Sequence, residues 1–221
     1  MKRWSAFLAV KDVPVLFWSA PKALTITPPP VSVLVLAFGL FLFGLGEALI
    51  IAASVGVSPW TVFAQGLTNV FGWSIGFATF ISSLFVLLCW IPLRQTPGIG
   101  TILNVIIIAA VLEFLLPYIP TPDAFALRIA LAVVGVLVTG LGAGFYLIAN
   151  LGPGPRDGLM IGLQRMTGLP IAWVRSGLEL SVTGVGWMMG GSVGFGTVLF
   201  AFAIGPSVAA SMYGLRVVFQ R

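Results

Sequence analysis

The sequence predicts an all-α polytopic membrane protein: six transmembrane helices plus two short half-helices, arranged as two inverted-topology repeats of three spans each. Three observations carry that expectation. The 221-residue chain is 59% hydrophobic and only 8% charged, against about 25% charged in soluble domains, so it has too little polar surface for a water-facing exterior. Its apolar runs include six of the roughly 20 residues needed to cross about 30 Å of hydrocarbon. The chain also repeats itself, without gaps, at an offset of 96 residues. The mean hydropathy of +1.11 agrees. The net charge of +5 then bears on topology and lipid headgroups, and no nucleic-acid partner is expected. One cysteine, Cys89, and no histidine leave neither a disulfide framework nor a transition-metal site, and no cofactor is expected.

Residues 1–28 form a basic amphipathic N-terminal segment. Lys2, Arg3, Lys11 and Lys22 are interleaved with Trp4, Phe7, Leu8, Phe17 and Trp18, a mixture suited to the membrane surface. Lys11-Asp12 interrupts the apolar region, which argues against a cleaved signal peptide. Pro28-Pro29-Pro30 breaks the chain before the first repeat, residues 29–120; the second repeat covers 121–221.

The spans fall at about 31–55, 74–93, 99–119, 125–149, 170–190 and 195–215. Two further apolar stretches, 58–71 and 155–168, are too short to span comfortably. Each opens on a helix-start signature, Ser58-Pro59 and Gly154-Pro155, and reads as a half-helix, either re-entrant or interfacial. With the N-terminus in the cytoplasm and both half-helices returning to their side of entry, Arg94, Arg156, Arg165, Arg216 and Arg221 all face the cytoplasm, as do both chain ends. The loops at 120–124 and 190–194 then face out. The positive-inside rule prefers this arrangement, with Arg128 a mild exception.

The repeat sets "GLGEALIIAASVGVSPWTVFAQGL" (44–67) over "GLGAGFYLIANLGPGPRDGLMIGL" (140–163), and "GIGT" (98–101) over "GFGT" (194–197). Gly56 pairs with Gly152, Gly66 with Gly162, Gly72 with Gly168 and Pro59 with Pro155. Three spans is an odd number, so the second repeat sits upside down relative to the first. Matching helix breaks in inverted halves mark the binding site or pore of transporters, though such breaks also serve as packing devices. Helix N-termini carry partial positive charge and unpaired N–H groups, which suit anions and solute oxygens.

The repeats differ where polarity differs. Arg156-Asp157 replaces Trp60-Thr61, Arg175 replaces Thr79, Glu179 replaces Ser83, and Glu47 has only Ala143 opposite. Ionisable groups at membrane depth are costly and default to functional candidates. The candidate solute-binding residues are therefore Arg156, Asp157, Glu47, Ser58, Thr61, Asn150 and Gln65. Glu47 is either neutral or paired across the bundle, with Arg156 the long-range candidate. Arg175 and Glu179, four apart on one helix face, are an ion pair or coupling pair. Asn104, Ser54 and Asn69 could also line a polar path. No Walker, nucleophile-elbow, H-E-x-x-H or dinucleotide motif occurs in a workable context, and no enzyme activity is expected.

The duplicated block, with "GPGPRDGLM" in its second half and the paired "GxGT", resembles the YczE/YyaS/YitT family of bacterial membrane proteins over residues 35–210, in its short YczE-like branch. The resemblance implies a multi-pass protein of the bacterial cytoplasmic membrane and no settled activity. The residues themselves suggest a small transporter or channel-like permease for a small, anionic or polar solute, bound between the repeats. The alternatives are a membrane-embedded ligand-binding or accessory subunit, and a structural or regulatory protein without transport. Partners are the lipid bilayer, the solute and, through glycine-rich faces, a possible second copy of the chain.

Overall fold

The computed structural model describes residues 13–219. These form eight α-helices and no strand: α1 Pro30–Ala53, α2 Pro59–Phe71, α3 Ile75–Trp90, α4 Ile99–Leu115 (extended by a 3-10 turn to Tyr118), α5 Phe125–Ala149, α6 Pro155–Thr167, α7 Ile171–Met188 and α8 Phe195–Phe219. Prolines open several of them because a helix's first N–H groups have no internal partner: Pro30, Pro59 and Pro155 all sit in the first turn. Helix α3 starts instead on Ser74, whose Oγ accepts from Phe77 N.

Four helices are long and apolar enough to cross a membrane: α1, Ile99–Tyr118, α5 and α8. Helices α2 and α3 meet at a bend of 112° and together make a fifth candidate. The expected count of six is therefore met only in part. At 16 residues, α3 rises about 24 Å, short of the hydrocarbon thickness. The 18 residues of α7 include the charged Arg175 and Glu179.

The backbone carries the 96-residue offset with it. Ser54 and Asn150 end α1 and α5 in left-handed conformations, at φ 52 and φ 54, and Gly72 and Gly168 end α2 and α6 at φ 71 and φ 70. Gly56 and Gly152, in the two breaks, have φ 101 and φ 110, values an L side chain rarely adopts.

The centre of the fold is the crossing of α1 and α5. A Cβ on Gly39 would run into Tyr146 N and Gly142 O, and one on Gly46 into Thr139 and the Gly135 carbonyl. As α1 runs from 39 to 46, α5 therefore runs back from 142 to 135, so the two are antiparallel. Small residues let the backbones approach this closely. Leu36, Leu40, Ile50, Leu112 and Ile148 are fully buried around the crossing.

Each break is completed by the other half of the chain. Val55 O accepts from Gly196 N at the start of α8, and Leu151 O accepts from Gly100 N at the start of α4, both at 2.7 Å. Helix α2 packs on α7 and α3 on α6, while α1 lies against α4 and α5 against α8.

Residues 13–29 are irregular. Leu16, Trp18 and Ala20 are buried, the first two against Ile148, Met212 and Leu215. Ser19 Oγ donates to Ile148 O (2.6 Å), and Asn150 Nδ2 donates to Ala20 O (2.8 Å). This part of the N-terminal segment thus seals the end of α5 and is not helical. The basic and aromatic residues of 1–12 lie outside the described residues, as does Arg221.

Candidate functional site

The two half-helices begin in different surroundings. At the start of α2, Glu47 of α1 is 2% exposed. Its Oε2 accepts from Ser58 Oγ (2.8 Å) and Thr61 Oγ1 (2.7 Å), and these hydroxyls lie 2.9 Å apart. Ser58 is the N-cap of α2 and Thr61 lies in its first turn, where the helix dipole favours a negative charge. Glu47 lies six residues before the end of α1, about 9 Å along the helix at 1.5 Å per residue. The first turn of α2 therefore lies inside the bundle, with its N-terminus pointing inward.

The start of α6 borders a polar cavity of about 90 Å³. Phe43, Thr79, Ser83, Asn104 and Ile108 line it from the first half of the chain, and Tyr146, Gly154, Pro155, Arg156 and Asp157 from the second. The α6 turn is fixed from behind. Trp90 Nε1 donates to Pro155 O (2.9 Å) and Thr101 Oγ1 to Pro153 O (2.7 Å), while the Trp90 indole fills the space beside Gly158. Tyr146 Oη donates to Asp157 Oδ2 at 2.6 Å, a short charge-assisted bond.

The remaining polar groups around the cavity are idle. Arg156 carries five N–H donors, yet it makes no hydrogen bond or ion pair with any described residue. Its guanidinium rests over the Trp60 ring, 5.1 Å from the centroid, and feels the charges of Glu47, Asp157 and Glu179. Thr79 Oγ1 is buried without a partner, and the side chains of Ser83 and Asn104 make no hydrogen bond to a described residue. Leaving a buried polar group such as Thr79 Oγ1 unpaired costs about 1–3 kcal/mol. A larger cavity of about 480 Å³ lies between α2, α3, α6 and α7 and is lined by Trp60, Phe63, Val86, Leu159, Leu163 and their apolar neighbours. Its wholly apolar lining offers no chemistry beyond contact with hydrocarbon.

Of the residues singled out by sequence, Arg156 and Asp157 line the polar cavity. Glu47, Ser58 and Thr61 come together in the separate cluster at α2. Gln65 Oε1 accepts from Ser192 N (2.9 Å) and ties α2 to the turn after α7. Asn150 holds the N-terminal segment. Arg175 Nε and Glu179 Oε1 form an ion pair at 2.9 Å, with side chains 46% and 22% exposed, so each largely neutralises the other. Sequence reasoning missed Tyr146, Thr79 and Ser83 as lining residues. The last two had a signal: they lie four apart on one face of α3, at the positions Arg175 and Glu179 hold in the second repeat.

The comparisons with known proteins extend this picture. Residues 31–213 match the family of unknown function DUF6198. An uncharacterized protein of Haemophilus influenzae (strain ATCC 51907 / DSM 11121 / KW20 / Rd) is 40% identical over 199 residues, 90% of each chain. The uncharacterized membrane protein YczE of Bacillus subtilis (strain 168) is 37% identical over 173 residues, 78% of each chain. No solved structure matches. The chain belongs to the DUF6198 family and is a relative of the membrane protein YczE.

Proposed function

We propose that this member of the family is a small-solute permease of a bacterial cytoplasmic membrane, with both termini cytoplasmic, and that its solute occupies the polar cavity at the start of α6. In this reading the chain is two inverted repeats, each of three spans and one half-helix, with α3 and α7 as the short spans. The support for inversion is the antiparallel crossing of α1 and α5, which hold equivalent places in the repeat. The reciprocal bonds Gly196 N to Val55 O and Gly100 N to Leu151 O add to it.

One observation carries the functional reading. A cavity contributed by both halves of the chain holds an unpaired guanidinium, an unpaired buried hydroxyl and two further uncommitted polar side chains. Asn150, by contrast, is paired with the N-terminal segment. Binding groups are present, but no nucleophile is set against a base, so the reading is of a carrier and not an enzyme.

The test is uptake of a panel of small labelled polar solutes by proteoliposomes of the purified protein. Arg156→Ala should lower uptake of the active solute at least about tenfold, as loss of a charge-assisted hydrogen bond of roughly 1.5–3 kcal/mol implies. Arg175→Ala, outside the cavity, should leave uptake within about twofold. Absence of flux for every small polar solute in the wild type would sink the proposal.

A further inference from the structure

The charges lining the polar cavity narrow the solute further, on the premise that this cavity is the solute site. Arg156 and Asp157 are neighbours in the first turn of α6 and both line it, yet no ion pair joins them. Arg175 and Glu179, by contrast, do form an ion pair. Two opposite charges thus border one small space without direct contact, although Arg156 feels the Asp157 charge. Arg156 has all its N–H donors free. Asp157 spends part of its acceptor capacity on Tyr146 Oη, and an ionised carboxylate has about four lone-pair sites.

Each class of solute can be weighed against that pair. A simple anion satisfies Arg156 but is repelled by Asp157, and a simple cation meets the reverse. A neutral solute leaves both charges unmatched in a site where unmatched charge is expensive. A solute carrying both charges answers both. Glu47 does not line the cavity: its Oε2 is held by Ser58 and Thr61, and its charge reaches Arg156 from outside it. The cavity is small, about 90 Å³, which favours a solute of few non-hydrogen atoms. The buried, unpaired Thr79 Oγ1, with Asn104 and Ser83, supplies neutral hydrogen bonds around it.

We propose that the solute is a small zwitterion with a primary ammonium group, of the size of glycine or alanine, its carboxylate on Arg156 and its ammonium on Asp157 and the Tyr146 hydroxyl. The test is equilibrium binding of labelled alanine to the full-length protein in nanodiscs. Competitors are propionate, which lacks the ammonium group, and ethylammonium, which lacks the carboxylate. Unlabelled alanine or glycine should displace the label at concentrations at least about tenfold lower than either competitor, as one charge-assisted contact implies. Asp157→Asn should weaken alanine and strengthen propionate, reversing their order.

Propionate equal to alanine in the wild type overturns the proposal, as does absence of alanine and glycine binding. The wild-type competition series decides the matter even if the variant fails to fold. The permease reading fails separately: alanine binding with this selectivity but no flux removes transport and keeps the zwitterion. Flux of a simple anion that depends on Arg156 does the opposite.

Discussion

The starts of α2 and α6 are the same piece of backbone in two different chemical states. Both follow a left-handed residue and a glycine at high positive φ, both open on proline, and both point their first turn into the bundle. At α2, two hydroxyls at the cap and in the first turn receive the carboxylate of Glu47, and the space is filled. At α6, Gly154 and Asp157 stand where those hydroxyls were, Ala143 stands where Glu47 was, and a cavity lies beside them. Arg156 and Trp60 hold equivalent positions and lie against each other, so the two states meet face to face. The difference teaches that one backbone break can carry an internal carboxylate–hydroxyl cluster in one half of the chain and border a cavity in the other.

Making the two halves alike breaks the comparison most sharply. Ala143→Glu gives α6 the carboxylate that α2 already has. It should occupy or repel the solute and weaken binding at least about tenfold in the nanodisc assay, with unchanged binding counting against the equivalence. The reverse change is next in size. Glu47→Ala leaves two buried hydroxyls without their acceptor and should cost about 1–3 kcal/mol of stability, read as a lower melting temperature. Solute selectivity should stay as in the wild type. A variant that melts normally but changes selectivity would place Glu47 in the binding machinery. The smallest effect belongs to Tyr146→Phe. Removing one hydroxyl from Asp157, worth about 0.5–1.5 kcal/mol, should change solute affinity by about two- to tenfold without altering the ranking of zwitterion over anion.

Much of the fold was legible because the chain is punctuated by residues with strong backbone preferences. Pro59, Pro155, Gly72 and Gly168 set the ends of the half-helices where the structure has them, and a helix lies on each of the six apolar runs, four of them long and apolar enough to span. The strict span count was less legible, since apolarity does not distinguish a 16-residue α3 from a full crossing. For the site, Arg156 and Asp157 stood out because they interrupt the repeat. Glu47, Ser58 and Thr61 were also recognisable as polar groups at membrane depth, but whether such groups line a cavity or satisfy one another depends on packing that no spacing encodes. Tyr146 escaped notice for a related reason: its ring reads as core, and only the fold brings its hydroxyl to Asp157.

The crossed hydrogen bonds at the breaks also bear on how the molecule is made. Val55 O waits for Gly196 N, and Gly100 N waits for Leu151 O, so neither half of the chain contains the partners its own backbone needs. During synthesis Gly100 N gains its partner early in the second half, at Leu151, while Val55 O waits until Gly196 near the end of the chain. Unsatisfied backbone in hydrocarbon costs several kcal/mol per group. Cutting the chain between α4 and α5 therefore leaves Val55 O and Gly100 N without these partners until the two halves are rejoined.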